Sequence, residues 1–150
     1  MRLNDGGGGS WRTSVPSYSI SAMECLSPEE CAALKRVRIR TTAKLLERAS
    51  TPKGRRMLAQ ETGISEKFIL RLANMADLMR IRGVAEEYSE LLEAAGVDTV
   101  KELKRRNVAN LVKRMQEANA ARPMVQLLPS EKRVAGWVEE AKTLPVMLTY

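Results

Sequence analysis

Histidine is absent from this 150-residue chain, cysteine occurs twice, and aromatic residues make up only 4%. Without His the usual general base and the usual zinc ligand are both missing. Cys25 and Cys31 form neither a CxxC pair nor a disulfide framework, so they read as reduced thiols of a cytoplasmic protein. A zinc site would need an unusual carboxylate-rich ligand set, and no metal or cofactor is expected. No apolar run approaches the ~20 residues of a membrane span, and the N-terminus lacks the apolar core of a signal peptide. No membrane partner is expected. The chain also has no nucleophile elbow, no phosphate-binding P-loop and no carboxylate pair isolated in an apolar setting, which argues against an enzyme.

What is present favours helix. Hydrophobic residues make up 44% of the chain, enough for a buried core, and runs of β-branched residues are nearly absent. Leu, Ala, Glu, Lys, Arg and Met dominate, all good helix formers. The expectation is an all-α protein of about seven to nine short helices over residues 24–146, with the apolar stripes sharing one core. A formal charge of +7 and a pI near 9.7 favour an anionic partner.

Residues 1–22 read as a flexible tail, since Gly6 to Ser10 has linker composition and Ser, Thr and Pro follow. Met23 offers an alternative start, and Trp11 or Tyr18 could dock on the domain. Ser27-Pro28-Glu29-Glu30 has the spacing of a capping box with Pro at the first helical position. Cys31, Leu34 and Val37 then line an apolar face. A second helix from about Thr41 turns Ala43, Leu45, Leu46 and Ala49 inward. Thr51-Pro52 starts a third helix that Gly63 ends, and Ser65 caps a fourth carrying Phe68, Ile69, Leu72, Met75, Ala76 and Met79. Met57, Met75, Met79 and Met115 read as core fillers.

The stretch from Leu78 to Leu103 organises the remainder. Gly83 follows one apolar helix, and Tyr88, Leu91, Leu92 and Ala95 form the stripe of the next. Gly96 suits a left-handed C-terminal cap, and Thr99 with Glu102 starts another helix. Asn107 caps a helix bearing Val108, Leu111, Val112 and Met115. Ser130 starts the last, with Val134, Trp137, Val138 and Ala141 on one face. Leu45, Leu46, Leu72, Leu91, Leu92, Leu103 and Trp137 are expected to be well buried.

An internal repeat underlies this order. Leu34-Lys35-Arg36-Val37-Arg38 aligns with Leu78-Met79-Arg80-Ile81-Arg82, and Leu45-Leu46-Glu47 with Leu91-Leu92-Glu93. Leu58 then matches Leu103, and the Gly63-Ile64 boundary matches Asn107-Val108. The repeats divide the chain into residues 23–77 and 78–150, one compact unit. Ile81-Arg82-Gly83-Val84-Ala85 resembles the hydrophobic-x-Gly-hydrophobic-Gly hairpin of helix-hairpin-helix DNA-binding proteins. The run to Leu103, with Leu128 to Lys142, resembles the bacterial family known as domain of unknown function 4332. That resemblance covers residues 78–144 and extends more weakly to Leu26. It implies a tandem helix-hairpin-helix (SAM-like) fold.

In those DNA-binding families two glycines bring backbone N–H groups to a phosphate. Here Ala85 replaces the second glycine, and between Leu78 and Glu102 three cations face six carboxylates. Gly83 and Val84 therefore read as structural hairpin residues. The first hairpin has no glycine, but from Lys35 to Arg56 nine cations are opposed only by Glu47. Lys35, Arg36, Arg38, Arg40, Lys44, Lys53, Arg55 and Arg56 are the candidate nucleic-acid contacts. The functional expectation is non-catalytic, sequence-nonspecific binding to a DNA or RNA backbone. The alternative is a protein-interaction or scaffolding domain that binds no nucleic acid.

Overall fold

A computed structural model describes residues 15–150, so the glycine run and Trp11 lie outside the described residues. Among those described there are eight α-helices and no β-strand. They are α1 (Pro28–Arg36), α2 (Thr42–Arg48), α3 (Pro52–Thr62), α4 (Glu66–Leu78), α5 (Glu86–Ala94), α6 (Val100–Leu103), α7 (Val108–Ala121) and α8 (Glu131–Ala141).

Local chemistry sets the boundaries. Ser27 Oγ accepts from Glu30 N–H at 3.0 Å, while the Glu30 carboxylate accepts from Ser27 N–H at 2.9 Å. Thr41, Thr51, Ser65, Asn107 and Ser130 each cap a helix through a side-chain oxygen. These contacts satisfy donors that a helix start leaves without intrahelical partners. At α6 the Glu102 carboxylate accepts from Thr99 N–H at 3.1 Å.

The order α1, turn, α2, α3, α4 recurs as α4, turn, α5, α6, α7. Helix α4 closes the first series and opens the second. Packing follows the same plan: α2 and α3 lie on α4, as α5 lies on α7, with α8 covering α6 and α7. The core is not shared throughout. One cluster contains Leu34, Leu45, Leu46, Leu58 and Leu72, and a second contains Leu91, Leu92, Leu103, Leu111 and Trp137. They meet where consecutive residues diverge, Leu78 into the second and Met79 into the first. The seven residues expected to be buried are all buried.

Three local expectations are corrected. Residues Ser17 to Ala22 pack against the body: Ile20 is fully buried, and Ser19 pairs with Thr41 as an isolated antiparallel bridge. Ala43 faces outward because Thr42, Leu45 and Leu46 turn the inner face of α2 away from it. Met57 is 48% exposed, since α3 buries Arg55 and Leu58 instead.

The C-terminal segment ties the two clusters together. Leu148 buries in the first, and Thr149 N–H donates to the Ser50 carbonyl at 2.9 Å. Deeper in, the buried Arg80 guanidinium binds Asp77 Oδ1 at 2.6 and 3.0 Å and donates to the Pro145 carbonyl at 2.9 Å. Asp77 Oδ2 accepts from Val100 N–H at 2.9 Å, holding the start of α6. Both charges are thus paired and hydrogen-bonded, as buried charges must be.

Candidate nucleic-acid interface

The first turn runs from Lys35 to Thr41. Arg38 N–H donates to the Lys35 carbonyl and Ile39 N–H to the Leu34 carbonyl, both at 2.9 Å. This is the Schellman pattern, and it requires a left-handed residue that glycine usually supplies. Arg38 supplies it, at φ 67°, as the only non-glycine with positive φ among the described residues. The buried pair Leu34 and Ile39 closes the motif from inside. Gly96 builds the same pattern after α5, with Val97 N–H donating to the Leu92 carbonyl at 2.8 Å.

With Ile39 pinned inward, Arg36, Arg38 and Arg40 are all exposed. Among the described residues none of the three joins an ion pair, and their side chains make no hydrogen bond. Lys35, beside them, is half-buried. Lys44 is held by Glu47 at 2.9 Å, and that contact keeps the Glu47 carboxyl below its usual range. Lys53 and Arg56 are exposed on α3, a separate element.

Arg55 is a correction. Only 4% exposed, it donates to the Ala49 carbonyl at 2.9 Å and the Thr149 carbonyl at 2.7 Å, with the Tyr150 ring over its guanidinium. It caps the end of α2 and is not available to a ligand. Arg48 is similarly engaged, by the Val37 carbonyl and Glu61.

The backbone of this turn is also occupied. Thr42 N–H donates to the Tyr18 carbonyl, Ala43 N–H to Ser17 Oγ and Lys44 N–H to Thr41 Oγ1. The start of α2 therefore offers side chains rather than free amides.

The second turn is built differently. Gly83 has φ 87°, and a Cβ there would meet Arg133 Nη2 at 3.3 Å and Trp137 Nε1 at 3.6 Å. Val84 is fully buried. Arg133 stacks over Tyr88 and Trp137 at 5.1 and 5.6 Å, while Arg82 N–H donates to Glu140 at 3.3 Å. The Glu86 carboxylate accepts from Glu24 N–H at 2.8 Å and Cys25 N–H at 2.9 Å. Burial first, and Glu86 second, push the Cys25 thiol up to about 12. This turn is packed against α8 and against the chain leading into α1.

A further basic group lies beyond Glu102, outside both turns. Arg105, Arg106, Lys113 and Arg114 line one concavity at the corner between α6 and α7. The signal was present in the run Lys104-Arg105-Arg106, followed by cations spaced one to two turns into α7.

Among the described residues no helix is long and apolar enough to cross a membrane, and no cluster of His, Cys, Asp or Glu could hold a metal ion. No curated protein and no solved structure matches the chain. A family profile does match, over residues 24–144, from just before α1 to the turn after α8. The chain belongs to the family described as Domain of unknown function (DUF4332).

Proposed function

We propose that this chain is a non-catalytic binding module that grips the phosphate backbone of nucleic acid without reading its sequence. In this reading the two helical series are tandem helix-hairpin-helix (SAM-like) repeats, and the first carries the contacts. One observation supports it above the others: Arg36, Arg38 and Arg40 project from one turn, and no carboxylate among the described residues engages them. Guanidinium groups left unpaired on a fixed backbone suit phosphate oxygens, and engaging them releases counterions from the duplex. Because the amides at the start of α2 are occupied, side chains carry the contact, which favours positioning over base readout.

A protein-interaction role is the second reading. A groove of about 490 Å³ lined by Ala43, Leu46, Ala76, Leu144 and Met147 favours it. Binding of a labelled random-sequence duplex across a salt series separates the two. Arg38→Ala/Arg40→Ala should weaken binding and flatten the log–log salt slope by about 0.9 for each phosphate no longer neutralised. Glu86→Lys/Glu87→Lys should leave the slope near wild type. No duplex binding by the wild type at low salt refutes the nucleic-acid reading and leaves the interaction module.

A further inference from the structure

The corner between α6 and α7 forms a concavity of about 420 Å³ walled by Arg105, Arg106, Asn107, Asn110, Lys113 and Arg114, with Glu117 at its edge. Four cations thus face one carboxylate. Arg114 lies 4.0 Å from Glu117, with both side chains more than half exposed, so that pair is weak. Arg106 is anchored, donating to the Ala95 carbonyl at 3.3 Å, which fixes its stem against the end of α5. Arg105 and Lys113 are exposed and join no ion pair among the described residues. Asn107 caps α7 through Asn110 N–H, and among the described residues no hydrogen bond occupies the N–H groups of Val108 and Ala109. Fourteen residues long, α7 directs a positive dipole end at the same hollow.

We infer that this corner is a second phosphate-binding site, which takes the backbone of the same nucleic acid as the first turn. The inference deepens the function proposed above and rests on it. Its chemistry is independent, because no residue of Lys35 to Arg56 takes part. A concave wall of three further cations around an anchored Arg106 fits a curved polyanion better than an isolated ion. The site adds contacts without adding sequence readout, since cations aimed at phosphate oxygens position a duplex but do not read its bases.

The experiment uses the full chain and a random-sequence duplex in a salt series. Four proteins are compared: wild type, Arg36→Ala/Arg38→Ala/Arg40→Ala, Arg105→Ala/Lys113→Ala/Arg114→Ala, and the two sets combined. Arg106 is left intact because it caps α5. The corner variant should lose at least about tenfold in affinity at low salt and flatten the slope by roughly two to three units. The combined variant should lose more than either set alone. An unchanged thermal midpoint keeps the readout a binding one. Inorganic phosphate at equal ionic strength should not compete; if it displaces the duplex from the corner as a simple ion would, the backbone assignment is overturned. A corner variant within about twofold of wild type overturns the second site but leaves the first. If the turn variant binds like wild type while the corner variant fails, the function stands on the corner alone, and the first-turn assignment is the one overturned.

Discussion

Each of the two turns holds a left-handed residue, Gly83 lying one position past the residue that aligns with Arg38, and the two turns fill it oppositely. At the second, Gly83 takes φ 87° at little steric cost, and the freedom is used for packing: Val84 is buried and α8 lies within contact of the glycine. At the first, Arg38 takes φ 67° against the preference of an L side chain, and a guanidinium reaches solvent as a result. The aligned arginines diverge in the same way. Arg80 is buried on Asp77, whereas Arg36 is exposed and joins no ion pair among the described residues. Glu86 sits where a phosphate would need open amides, and it is already committed to Glu24 and Cys25. One turn commits its charge to internal structure; the other leaves it on the surface.

That contrast can be broken by substitution. The largest effect is expected at the buried pair. Asp77→Ala leaves Arg80 uncompensated and releases Val100 N–H, so it should cost about 3–5 kcal/mol in chemical denaturation. Arg36→Ala, at the aligned surface position, should stay within about 0.5 kcal/mol. Equal costs at the two sites would erase the distinction.

Gly83→Val forces a β-branched residue into the left-handed region and into Arg133, and should cost roughly 1–2 kcal/mol. Glu86→Gln keeps the shape but removes a charge that two backbone amides share, at about 1 kcal/mol. Its clearer readout is Cys25. A thiol held near 12 instead of 9.0 favours the fold while protonated, so that contribution is complete below pH 9 and is lost as pH rises through 12. Alkylation of Cys25 at pH 9 should be slow in wild type and faster in Glu86→Gln, where thiolate forms more readily. Equal rates would show that Glu86 does not face the thiol.

Helix boundaries were largely legible because they depend on neighbours. Ser27, Thr51, Ser65, Asn107 and Ser130 announce themselves by type and spacing, and Leu45, Leu46, Leu91 and Leu92 by periodicity. What escaped depends on distant partners. Arg55 is buried because Ala49 and, 94 residues away, Thr149 supply carbonyls to its guanidinium. Ile20 is buried because residues 18–20 pair beside Thr41, across a segment whose composition reads as linker. Arg38 escaped for a different reason. Its turn has no glycine to mark it in the sequence, yet adopts the glycine conformation, held there by Leu34 and Ile39. The corner basic group is harder to read because its cations come from the link after α6 and from α7, which the fold brings around one hollow.

Arg38→Gly tests the division of labour most directly, because one substitution addresses both backbone and charge. Relief of the left-handed strain should raise stability by roughly 0.5–1 kcal/mol. The same variant should bind duplex DNA more weakly, with the salt slope flattened by about one unit. Stability and binding measured on that one protein should therefore move in opposite directions. A variant that is less stable than wild type, or that binds duplex with the wild-type slope, would contradict the claim that Arg38 accepts backbone strain to present a phosphate contact.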